Sequence, residues 1–128
     1  MLDVNVDTIC FLIQKARVFH AQEDVAIPEQ PLNATDDWAL QILANHRDDP
    51  TYQEFITTVR DLEPDQQANL VALMWIGRGD FEADEWEEAL EQAMEENTVY
   101  TAEYLITKPL VSDYLESALN QLGYSCDE

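Results

Sequence analysis

The sequence predicts an all-α protein, a single-domain orthogonal bundle of about six or seven helices over residues 1–128. Three observations lead there. Apolar residues recur at three- and four-residue intervals in one segment after another, the period at which side chains share a helix face. Proline and glycine stand between those segments, where helices start and stop. No alternating run of strand length, no internal repeat and no Gly/Ser linker breaks the pattern. With 128 residues, 46% of them apolar, the chain can bury one core without a metal or disulfide staple.

The first helix follows Asp7, turns Ile9, Leu12, Ile13, Ala16 and Phe19 inward, and ends near Gln22. Residues 23–34 place Pro28 and Pro31 among polar neighbours, which marks an irregular connection and the segment expected to be mobile. A second helix starts at Asp36-Asp37, whose carboxylates can accept from free N–H groups, and carries Trp38, Leu40, Ile42 and Leu43 inward. Asp49-Pro50 reads as a cap followed by proline in the first turn, where a missing N–H costs nothing. Tyr52, Phe55, Ile56, Val59 and Leu62 then share a face. Glu63-Pro64-Asp65 repeats the device and opens the helix that runs through Leu70–Ile76. A helix apolar all round for about two turns is enclosed by other helices, so this one belongs at the centre.

Gly77 and Gly79 are expected to end the central helix, since glycine readily takes the left-handed conformation that closes one. The next helix puts Trp86, Ala89, Leu90, Ala93 and Met94 on one stripe and carboxylates at most other positions. A short segment through Tyr104, Leu105 and Ile106 stops before Pro109. The last helix carries Val111, Tyr114, Leu115, Ala118, Leu119 and Leu122, and Gly123 closes it ahead of a polar tail.

Against 27 acidic residues stand six basic ones, Lys15, Arg17, Arg47, Arg60, Arg78 and Lys108, for a formal net charge of −21. Nucleic acids and anionic membranes require clustered Lys and Arg, which excludes direct binding to either, whereas a basic protein is attracted. Ten acidic residues and no cation lie between Arg78 and Lys108. Like charges one helical turn apart, such as Asp84 with Glu88 and Glu87 with Glu91, each cost about 0.2–0.5 kcal/mol. One reading of Asp84, Glu87, Glu88, Glu91 and Glu95 is an acidic docking face that imitates nucleic-acid phosphates. The plain alternative is a solvated helix face that maintains solubility or matches a salt-rich cytoplasm.

A second candidate site is Trp75, Gly77, Arg78, Gly79, Asp80 and Trp86, where backbone N–H groups and the Arg78 guanidinium could surround a small phosphate or carboxylate. It lacks the lysine and the preceding strand of a phosphate loop. Its alternative is a tight interhelical turn whose Arg78 pairs with a nearby carboxylate. The run from Asp80 to Glu91 copies a calcium loop superficially but holds Glu85 where that loop needs glycine. His20 near Glu23 and Asp24, and His46 near Asp48 and Asp49, make no metal signature, and no catalytic motif is present. No cofactor is expected.

Cys10 and Cys126 lie far apart with no metal or redox spacing, and are read as free thiols. The first residues are acidic where a secretory signal is basic, and Leu70–Ile76 is too short to span a bilayer. The expectation is a cytoplasmic protein.

The run Leu70 to Phe81, the dipeptide Glu85-Trp86, Thr101–Leu105, the Pro109-Leu110 break, and Asp113–Glu116 leading to Leu122-Gly123 resemble an uncharacterised bacterial family, the DUF3775-like proteins. The resemblance extends to Cys10–Arg17 and Asp36-Asp37. It implies a helical bacterial domain and carries over no reaction, cofactor, partner or catalytic residue. Charge and the missing catalytic motif together favour a non-enzymatic interaction or regulatory module for a basic protein, as monomer or homodimer. An anion-binding protein or enzyme with a pocket near Arg78 is the alternative.

Overall fold

The computed structural model describes residues 2–22, 48–98 and 100–126. Among them the chain forms α1 (Val6–His20), α2 (Pro50–Arg60), α3 (Pro64–Arg78), a 3-10 turn (Ala83–Glu85), α4 (Trp86–Glu95), α5 (Thr101–Ile106) and α6 (Val111–Gln121), with no strand. None of these helices is long and apolar enough to cross a membrane. The expected helix from Asp36, the connection at 23–34, Trp38 and His46 lie outside the described residues.

Short-range bonds set the helix ends. Asn5 caps α1 by accepting from the Asp7 N–H at 2.7 Å, two residues earlier than Asp7 itself suggests. Asp49 accepts from Thr51 and Tyr52 N–H groups at 2.8 and 3.1 Å, with Pro50 first in α2. At the start of α3 the Glu63 N–H donates to Gln66 Oε1 at 2.9 Å, ahead of Pro64.

Packing runs from α4 through α3 to α6, from α6 to α1, from α1 to α2, and from α2 to α5, which returns to α3. The middle of α3 is the core. Ala68–Ile76 is buried without a break, and its one polar member, Asn69, is satisfied by donating to Asp65 O and accepting from Asp3 N–H. The inward faces expected of α1 and α2 are buried as their periods require, apart from the half-buried Leu62. In α4, Trp86, Ala89 and Ala93 are buried, but Met94 is 49% exposed. It lies about 80° round the helix from Trp86, past the edge of the stripe.

Gly77 does not end α3. The helix continues to Arg78 and closes at Gly79, whose φ is 98°, with the Asp80 N–H donating to Trp75 O at 2.9 Å. Gly77 instead lies where α3 crosses α6: a Cβ there would stand 1.8 Å from the carbonyl oxygen of Tyr114. The absent side chain lets two backbones touch.

The free-thiol expectation is also overturned. Cys10 and Cys126 form a disulfide, with Cα atoms 5.6 Å apart across a sequence separation of 116. Because α6 packs on α1, the tail that leaves α6 at Gly123 (φ 93°) comes back to α1. Closing so long a loop contributes about 4–5 kcal/mol in chain-entropy terms.

Gly77→Ala gains about 1 kcal/mol of helix propensity but meets backbone that cannot retreat, so it should destabilise the fold by about 3 kcal/mol or more. Gly79→Ala has open space and only the left-handed strain, about 1–2 kcal/mol. Urea unfolding of both variants checks the order.

Candidate functional site

The turn after α3 is built from groups that already have partners. Gly79 N–H donates to Trp75 O and Ile76 O, and Asp80 N–H to Trp75 O, so these backbone donors turn back on the helix. Arg78 Nε and Nη2 both donate to Asp80 Oδ2, at 2.9 and 2.6 Å. Burial works against the Arg78 charge, but the Asp80 hydrogen bonds and charge, with Tyr104, outweigh it and raise the guanidinium pKa. Trp75 is buried, stacks at 5.9 Å on Phe81, and donates its indole N–H to Tyr104 Oη at 3.2 Å. Trp86 is buried at the start of α4. The turn thus brings together Trp75, Arg78, Gly79 and Asp80, while Gly77 is occupied by the helix crossing.

The acidic face is of another kind. Asp84, Glu87, Glu88, Glu91 and Glu95 are all exposed, and no ion pair among the described residues includes any of them. The described cations are used elsewhere, mostly between helices. Lys15 pairs with Glu54, Arg17 with Asp113 and Glu116, Arg60 with Glu103, and Arg78 with Asp80, while Lys108 lies 4.9 Å over the Tyr104 ring. The field over α4 is left without a neutralising neighbour in the described part of the molecule.

Two grooves were not foreseen. One, about 540 Å³, runs between α1 and α6 and has Cys10, Arg17, Glu116 and Cys126 in its walls. The other, about 350 Å³, lies between α2 and α5. There Glu103 binds Arg60 through one carboxylate oxygen, and its other oxygen is buried with no partner. Burial, followed by the Glu103 charge, pushes the Tyr52 phenol up. Both grooves join residues far apart in the chain, so spacing carries no trace of them.

Residues 52–124, more than half of the chain, match the family described as Protein of unknown function (DUF3775). The chain belongs to the DUF3775 family. No curated protein and no solved structure matches it. The DUF3775 segment takes in nearly all of α2, then α3 to α6, and therefore the Arg78 turn and the acidic face; α1, Cys10 and Cys126 fall outside it, as do Cys10–Arg17 and Asp36-Asp37.

Outside the DUF3775 segment, His20 closes α1, and among the described residues no three His, Cys, Asp or Glu groups gather into a metal site. Burial pushes the His20 imidazole below the ordinary value of 6.5, partly offset by a hydrogen bond to the Ile106 carbonyl, and Nε2 is buried without a partner. The unfolded chain therefore takes up the proton first as pH falls. His20 costs no stability above about pH 6.5, its penalty grows as pH drops below that value, and it levels off below the folded pKa. His20→Gln should remove this part of the pH dependence. Thermal melts of both proteins from pH 8 to 5 should diverge on the acid side, with a limiting slope of about 1.4 kcal/mol per pH unit.

Proposed function

We propose that the chain is a non-enzymatic interaction module whose α4 face docks a basic protein. The observation that carries this reading is the row of exposed carboxylates on α4, with no ion pair among the described residues, in a molecule whose other described cations are committed elsewhere. Such a face speeds encounter with a positive surface and rejects negative ones. Met94, 49% exposed between Glu91 and Glu95, supplies an adaptable apolar contact within the charged rim. The Arg78 turn supports the anion reading less well, because its N–H groups and guanidinium are already bonded within the protein.

The test compares the wild-type chain with Glu87→Gln/Glu88→Gln/Glu91→Gln/Glu95→Gln, each tagged and expressed at its native level. Wild type should retain a partner with a net positive face at low salt. It should release that partner at about 1 M salt, where the screening length falls to about 3 Å. The variant should fold normally, relieved of about 0.2–0.5 kcal/mol per like-charged pair, and retain nothing. Capture that ignores both salt and the substitutions would contradict the proposal.

A further inference from the structure

The disulfide joins two parts of the molecule that are anchored very differently. Cys10 rides on α1, which is fixed by the buried Ile9, Leu12, Ile13, Ala16 and Phe19 and by the Arg17 pairs to Asp113 and Glu116. Cys126 sits on the tail, three positions beyond Gly123, where the chain turns away from α6 and the Tyr124 N–H donates to Leu119 O at 2.8 Å. Both cysteines are half-buried, and both border the groove between α1 and α6. An incoming thiol therefore has a path to the bridge. Both also lie outside the family segment, and both pack against the core only as half-buried residues, not as members of it.

We propose that Cys10–Cys126 is a reversible redox latch. A dithiol reductant opens it, releasing the tail from α1 and widening the groove; a disulfide oxidant closes it. In the opening direction a reductant thiolate attacks one bridge sulfur, the S–S bond breaks, and the other sulfur leaves as a thiolate and takes up a proton. The second thiol of the reductant then attacks the mixed disulfide and frees the remaining cysteine. Two electrons pass to the protein, which ends with two thiols, and the reductant ends as its own disulfide. Closure runs the same exchange backwards, with a small-molecule disulfide reduced to two thiols. It is favoured because Cys10 stays on a docked helix while Cys126 remains on a short tether from α6, which keeps the local thiol concentration high.

The experiment uses the full oxidised chain in native buffer. Before treatment maleimide should label no cysteine, and after dithiothreitol it should label two. Circular dichroism should be unchanged, and amide exchange should accelerate most beyond Gly123 and around Cys10, while Leu70–Ile76 loses only the protection that goes with the lower global stability and remains the slowest segment. Oxidised glutathione should return the starting pattern. Cys126→Ser should fold and show the exchange pattern of the reduced protein. A bridge that yields to dithiothreitol only in denaturant, exchange at Leu70–Ile76 as fast as at the tail after reduction, or a Cys126→Ser chain that does not fold would each overturn the latch and make the bridge a structural staple. Labelling of both cysteines before reduction would overturn it as well.

Discussion

The architecture depends on the contact between α3 and α6 at Gly77. Two helices separated by side chains cannot bring backbone this close, and here a Cβ would collide with the Tyr114 carbonyl. The close crossing lets α6 cover one side of the buried run Ala68–Ile76 while α4 covers another. From that axis the rest follows by contact: α6 carries α1, α1 carries α2, and α2 meets α5, which returns to α3. Ion pairs mark the same joints, Arg17 between α1 and α6, Lys15 between α1 and α2, and Arg60 between α2 and α5. The Arg17 pairs are exposed enough to orient helices more than to hold them, whereas Glu103 of the Arg60 pair is largely buried.

Much of this was legible in the residues because helix signals are local. The period of Ile9, Leu12, Ile13, Ala16 and Phe19, the Asp49-Pro50 cap, the unbroken apolar run of α3 and the closing Gly123 all act within a few positions. What spacing could not convey is contact across the fold. Gly77 looks like a helix terminator beside Gly79, and only the position of α6 shows that it is an interior crossing point. Cys10 and Cys126 look unrelated until α1 and α6 are placed side by side. The pairing of Arg60 with Glu103 is hidden for the same reason.

The candidate sites divide along the same line. At the Arg78 turn the charged and polar groups serve one another, which is what a tight joint between α3 and α4 needs. On α4 the carboxylates make no ion pair among the described residues, and those one turn apart repel one another at some cost to stability. A surface that is locally unfavourable and globally tolerated is a reasonable place to look for a partner, and its charge repels other negative surfaces. The cysteine bridge adds a covalent link between α1 and the tail that follows α6, and both of its cysteines lie outside the family segment.

Native-state amide exchange across the whole chain probes the central idea most directly. With α3 as the axis, the amides of Leu70–Ile76 should be the slowest of all and open only in global unfolding, at the full unfolding free energy. If amides of α1 or α2 outlast them, or if Leu70–Ile76 opens in a smaller, local event, the buried α3–α6 crossing is not what holds this protein together.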